Sequence, residues 1–181
     1  MCGNLGDPII SRDTMEIFEH LREVNPRMKL GMHTNGSARE TGWWKELAKH
    51  RVIVTFGIDG LEDTHHLYRI STDFNKIIDN AKAFIGAGGY AKWHMLVFEH
   101  NQHQIDECRE LSKRLGMENF SVKHTIRFKD GKFVVLNEQG QQIDTLYPSQ
   151  KSKEMTSKVK QASAETLPTI NCKAVKDSMS Y

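Results

Sequence analysis

The sequence predicts an α/β fold built on a parallel sheet, and three observations carry that expectation. Short apolar or β-branched segments alternate with amphipathic helical ones at intervals of about 25–40 residues, the rhythm of βαβ units. Segment 52–58 (VIVTFGI) is almost unbroken in its apolarity, which suits a parallel strand covered on both faces. Each strand-like segment ends on a Gly turn or a polar side chain, all of which a parallel sheet delivers to one pole.

The elements follow in order. Residues 5–10 read as the tail of a strand and a Gly6-Asp7-Pro8 turn. Ser11 is the expected N-cap of a helix carrying Met15, Ile17, Phe18, Leu21 and Val24, which Asn25-Pro26 stops. Residues 29–33 form a short strand ending at Thr34-Asn35-Gly36, and a helix over 41–50 carries Trp43, Trp44, Leu47 and Ala48. The strand 52–58 ends at Asp59-Gly60, and a polar stretch, 61–72, follows. Over 73–85, Phe74, Ile77, Ile78, Ala81, Phe84 and Ile85 share one helical face, closed by Gly86, Gly88 and Gly89. Residues 92–99 are a strand, 104–115 a helix ending near Gly116, and 120–126 a strand ending at Arg127. The rhythm then breaks. Segments 133–136 and 142–146 pair as a hairpin, and 151–165 is either a solvated helix or a linker.

Composition limits the function classes. The 181 residues fit one domain, and Lys+Arg 25 against Asp+Glu 23 leaves a net charge of +2. That balance argues against a DNA-binding protein. No apolar run reaches the roughly 18–20 residues of a membrane span, and the N-terminus has no secretory pattern. Cys2, Cys108 and Cys172 are too few and too scattered for a disulfide framework, so a reduced, cytoplasmic setting is expected.

The strand ends gather the candidate site: Gly6 and Asp7, then Thr34 and Asn35, then Asp59, then His100 and Asn101, then Arg127. Loops after strands are polar in any case, and this pattern alone divides evenly between a site and ordinary loops. Cys108, on an apolar helix face, reads as structural. His65 and His66, adjacent in sequence, point apart. His100 and His103 have the spacing to share a metal, without a supporting motif. His94 reads as a satisfied strand histidine, and Trp43-Trp44 as packing.

Taken in order, Gly-Asp-Pro, Thr-Asn-Gly, Ile-Asp-Gly, Tyr-Arg and His-Asn resemble the radical S-adenosylmethionine (radical SAM) enzymes, especially those with a SPASM-type auxiliary-cluster region. The resemblance covers residues 2–128 and resumes weakly at Cys172. It implies a partial TIM-like (β/α) barrel over 1–128, truncated at its N-terminus, an irregular hairpin and linker extension over 129–169, and the start of a SPASM-like region over 170–181. It implies that Gly6, Asp7 and Pro8 hold the amino group of S-adenosylmethionine, that Thr34 and Asn35 lie near its ribose, and that Asp59 closes the next strand. Arg69 then takes the cofactor's carboxylate, and the strand ending at Phe98, His100 and Asn101 lies against the adenine. Gly57 stands where the family commonly has Ser.

The family's Cys-x-x-x-Cys-x-x-Cys triplet, which ligates a [4Fe–4S] cluster, is absent from the sequence. On the resemblance its ligands are expected upstream of Met1, and Cys172 is an expected auxiliary iron–sulfur ligand. The complete enzyme would take an electron from an external donor, cleave S-adenosylmethionine to a 5′-deoxyadenosyl radical and abstract hydrogen from an unidentified substrate, with peptides or proteins as the family-level expectation. The chain alone is expected to be inactive. Two other readings are a metal-dependent hydrolase on a related (β/α) barrel, using Asp59, His100 and a neighbouring His, and a non-enzymatic binding remnant.

Overall fold

The computed structural model describes residues 6–125, 128–137 and 139–165. Cys2, Arg127 and Cys172 lie outside the described residues. Pro8 opens a 3₁₀ turn, Pro8–Ile10, capped by the Asp7 carboxylate, which accepts from the Ile9 N–H at 3.2 Å. Ser11 closes this turn through its own N–H to the Pro8 carbonyl at 3.3 Å and does not cap the next helix. That helix, α1 (Thr14–Val24), begins after Asp13. The fixed φ of Pro8 explains the change, because it sets a local turn before the helical pattern can start.

The chain then runs through β1 (Leu30–Thr34), α2 (Thr41–Lys49), β2 (Val52–Gly57), α3 (Glu62–Tyr68), α4 (Phe74–Gly86), β3 (Tyr90–Val97), α5 (Ile105–Arg114) and β4 (Asn119–His124). The hairpin β5 (Phe133–Leu136) and β6 (Gln142–Leu146) follows, then α6 (Gln150–Glu165). The stretch 61–72, expected as a polar connection, contains α3. Its seven residues carry charges and two histidines, so no apolar period marks it.

The four strands pair in parallel in the order β1-β2-β3-β4. Each strand lies beside the next in sequence, so all four carboxyl ends reach one pole. One face of the sheet makes the core: Met32, Val54, Phe56, Trp93 and Met95 pack with Phe18, Trp44, Leu47, Ile77, Phe84 and Cys108 from the helices. Trp44 lies 5.3 Å from Phe56 and 6.3 Å from Phe84, ring to ring. Each such side chain contributes about 1.5–3 kcal/mol by leaving water. Trp43 meets Trp44 edge-on at 5.1 Å, a packing contact.

The opposite face is not covered in the same way. In β2 the buried residues Val52, Val54 and Phe56 alternate with half-buried Ile53, Thr55 and Gly57. The expectation of a strand covered on both faces therefore fails: Thr55 and Gly57 mark a face built for something other than a second helical layer. The hairpin packs against the carboxyl pole, where Phe98, Val135 and Leu146 form a second small core with Tyr68, Phe128 and Phe133. A bridge between Phe98 and Pro148 ties it to the end of β3. Among the described residues no helix is long and apolar enough to cross a membrane.

Candidate functional site

At the carboxyl pole the open face of the sheet forms a cavity of about 610 Å³. Gly6, Asp7, Pro8, Thr34, Asn35, Asp59, Arg69 and Phe98 all line it. These residues come from five separate stretches of chain, and the parallel order of the strands is what gathers them. His100 and Asn101, expected at the same place, do not line it.

Asp59 is the electrostatic centre. It is fully buried, and both its oxygens accept N–H donors: Oδ2 from Arg69 Nε at 2.7 Å and Oδ1 from the Leu96 N–H at 2.6 Å. Burial pushes its carboxyl above the ordinary value, while the Arg69 guanidinium and the Leu96 N–H pull the other way. Two N–H donors on two oxygens is the arrangement of an ionised carboxylate.

The main chain around Asp59 is held from three sides. His65 Nδ1 accepts from the Asp59 N–H at 3.0 Å. His65 Nε2 lies 3.1 Å from Thr72 Oγ1, which donates its own hydrogen to the Arg69 carbonyl at 2.6 Å. His65 is therefore the neutral Nε2–H tautomer. Burial, reinforced by Arg69 and His66, lowers its pKa to about 4. Asn101 Nδ2 donates to the Asp59 carbonyl at 3.0 Å and the Leu96 carbonyl at 3.1 Å, and its Oδ1 accepts from the Phe98 N–H at 2.8 Å. Gln104 accepts from the Leu61 N–H at 3.0 Å and from the Thr64 hydroxyl. Gly60, at φ +122°, leaves no room for a Cβ beside Thr64. Asn101 thus acts by joining the end of β3 to the end of β2.

Arg69 follows directly on α3, its N–H bonded to the His65 carbonyl at 3.0 Å. Its guanidinium lies 5.3 Å from the Tyr68 ring centre. An ideal Cβ on Gly57 would sit 2.8 Å from Arg69 Nη2. The glycine is what lets the guanidinium lie over β2, which gives the departure from Ser a local reason. At the other rim, Asp7 Oδ2 accepts from the Asn35 N–H at 2.7 Å, joining the first two loops. Thr34 Oγ1 accepts from the Gly36 N–H at 3.0 Å, and Asn35 Oδ1 from the Ser37 N–H at 2.9 Å. Both side chains therefore shape the turn that they occupy. Tyr68, Phe98 and Phe133 make an aromatic wall, with Tyr68 4.7 Å from Phe98 and 5.7 Å from Phe133.

Sequence reasoning missed His33, Thr55, His94 and Lys123, which line the same cavity. Their signal was present as alternation along the strands, but which of the two faces stays open is not a local property. His94, read as an ordinary strand histidine, is one of them. His100 stacks on Phe98 at 5.4 Å, and both its ring nitrogens are buried without a partner among the described residues. His65 is buried and His66 exposed, so the two do point apart. Cys108 is fully buried and its thiol is pushed up to about 12 by burial and nearby carboxylates. Among the described residues no group of three or more His, Cys, Asp or Glu could hold a metal ion. Asp59 and His100 belong to no such group among the described residues.

No family model matches the sequence, and neither does any curated protein. Solved structures do match. SuiB of Streptococcus suis bound to S-adenosylmethionine superposes with a TM-score of 0.57 at 18% identity, over 65% of this chain and 27% of SuiB. Native anSMEcpe with bound AdoMet gives a TM-score of 0.50 at 18% identity, over 60% of this chain and 33% of that one. Both are radical SAM enzymes. The likeness is one of fold, and the chain spans about a quarter to a third of the length of these neighbours.

Proposed function

We propose that this chain is the S-adenosylmethionine-binding part of a radical SAM enzyme. One observation carries the reading. Gly6-Asp7-Pro8, Thr34-Asn35, Asp59 and Arg69 follow the family's order in the sequence, and all line one cavity at the carboxyl pole of a parallel sheet. A fold shared with S-adenosylmethionine-bound structures supports it.

The side chains suit the amino-acid end of the cofactor. Asp7 accepts two main-chain N–H groups, and a carboxylate has about four acceptor positions, so it can take an ammonium group as well. Arg69 uses Nε on Asp59, which fixes the guanidinium plane and leaves its Nη edge for a carboxylate. Asp59 thus positions Arg69, and His65 and Asn101 position Asp59. Tyr68, half-buried and backed by the buried Phe98 ring, offers flat apolar surface where the adenine is expected, and the same wall narrows the access of water. Bound beside a reduced [4Fe–4S] cluster, S-adenosylmethionine supplies hydrogen-atom abstraction.

The cluster itself finds no ligand set among the described residues. Cys108, protonated and buried, is unsuited to iron. On this reading the chain alone binds the cofactor without cleaving it. The complete enzyme also needs cluster ligands and an electron donor, with residues 1–128 as partial barrel, 129–169 as extension, and Cys172 within 170–181 opening an auxiliary-cluster region. SuiB has been solved with its precursor peptide SuiA, which supports a peptide substrate.

Isothermal titration of S-adenosylmethionine into the 181-residue chain tests the reading. Saturable binding is expected, weakened about tenfold or more, or about 1.4 kcal/mol, by Asp7→Asn and by Arg69→Met. Absence of binding, or binding indifferent to both substitutions, overturns it.

A further inference from the structure

The open sheet face carries a charge that the cofactor reading leaves without a role. Four ionic side chains line the cavity: Asp7, Asp59, Arg69 and Lys123. Asp59 and Arg69 neutralise each other at 2.7 Å. Asp7 belongs to the opposite rim, between the first two loops. Lys123 has no carboxylate within ion-pair distance among the described residues.

The strand register puts Lys123 beside the imidazole of His94, with a second imidazole, His33, farther along the same face. Lys123 pairs with Leu96, and His94, two residues earlier on β3, pairs with Ser121 on one side and Gly57 on the other. Lys123 and His94 are therefore diagonal neighbours on the same face. His33 pairs with Thr55, two residues before Gly57 on β2. The row His33, Thr55, His94, Lys123 crosses all four strands, and each of them lines the cavity. These groups feel one another: after burial, Lys123 is the largest influence holding His94 below its ordinary value, with His33 and Arg69 adding to it and Asp59 opposing. His94 is thus neutral at pH 7, a polar group offering one N–H donor next to an ammonium. The place lacks an anion.

We infer that Lys123 and His94 form a subsite for a carboxylate of the substrate. The inference rests on the proposed function, which gives Asp7 and Arg69 to the cofactor and leaves these two side chains for the group that reacts. A carboxylate suits them because Lys123 supplies the charge and His94 supplies an N–H donor from the adjacent strand. The carboxylate comes either from an acidic side chain of a peptide or from a free small acid, and the test separates these sources.

The probes are acetyl-Gly-Glu-Gly-amide, its Gln counterpart and glutarate, each titrated into the full chain with and without S-adenosylmethionine. The Glu peptide is expected to bind at least tenfold tighter than the Gln peptide. Lys123→Met should erase that preference and Lys123→Arg should keep it. Lys123 is exposed on β4, so neither substitution threatens the core. Proton NMR of the His94 ring should show its pKa rising when the Glu peptide binds. Glutarate weaker than the peptide assigns the site to an acidic side chain, and glutarate equal to it assigns a free acid. Equal binding of the Glu and Gln peptides overturns the subsite even if S-adenosylmethionine binds. So does a Lys123→Met variant that weakens S-adenosylmethionine as much as the peptide, since Lys123 would then serve the cofactor. Acid preference in a chain that ignores S-adenosylmethionine leaves the subsite standing and overturns the cofactor reading instead.

Discussion

A single methyl group at Gly57 should disturb the site without touching its chemistry. The Cβ of Gly57→Ala would lie 2.8 Å from Arg69 Nη2. Ordinary contact begins near 3.4 Å, so the guanidinium must retreat by about 0.6 Å. That retreat draws on the 2.7 Å bond from Arg69 Nε to Asp59 Oδ2. Complete loss of a partner to a buried carboxylate costs about 3–5 kcal/mol. The Arg69 side chain is 32% exposed and can slide, so the expected loss is smaller, about 1–3 kcal/mol. Replacing glycine returns about 0.4–1 kcal/mol through the unfolded state, which does not cancel it. Urea denaturation of wild type, Gly57→Ala, Arg69→Met and the double variant measures the effect. With Arg69 shortened, the methyl meets no guanidinium, so the alanine should no longer destabilise. A coupling of about 1–3 kcal/mol is expected from the cycle. Additive losses, or a Gly57→Ala chain as stable as wild type, would refute the argument that the glycine exists to seat Arg69.

Three further outcomes follow from the same geometry. His65 stays neutral in the fold with a pKa of about 4 against 6.5, so its share of stability is full above pH 6.5 and lost as the pH falls toward 4, about 3 kcal/mol in all. His65→Gln should flatten that slope in urea melts, and the difference from wild type isolates His65 from Asp59, whose raised carboxyl acts in the opposite sense. An unchanged slope would sink the neutral-brace assignment. Asn101→Ala removes three hydrogen bonds at a fully buried position and should cost about 2–4 kcal/mol, with a loss under 1 kcal/mol counting against it. Cys108, buried and protonated, should resist iodoacetamide at pH 8 until the chain is unfolded, as mass spectrometry of its peptide would report; rapid native labelling would contradict the burial.

Much of this molecule was legible one segment at a time. The apolar period of 73–85 became α4, and the VIVTFGI run became β2. The residues that follow these strands converge because a parallel sheet of order β1-β2-β3-β4 delivers every carboxyl end to one pole. Short α3 carries no such signal, since its seven residues bury only Thr64 and His65 and show no apolar stripe. Ser11 is a helix-capping residue type, but Pro8 starts its own turn and Asp13 takes the position before α1.

The sequence by itself determined the strand–helix order, the chemistry at the strand ends and the absence of a cluster triplet. Each is a property of neighbours along the chain. Only the tertiary structure decided which face of the sheet stays open, and with it that His33, Thr55, His94 and Lys123 line one cavity. Alternation with a period of two states that a strand has two faces. It does not state which one the helices cover, because that depends on burial shared by all four strands and on the register between them. The same holds for Asn101, whose amide serves the main chain of Asp59 across 42 residues of sequence. No local pattern encodes a hydrogen bond that exists only once two strand ends lie side by side.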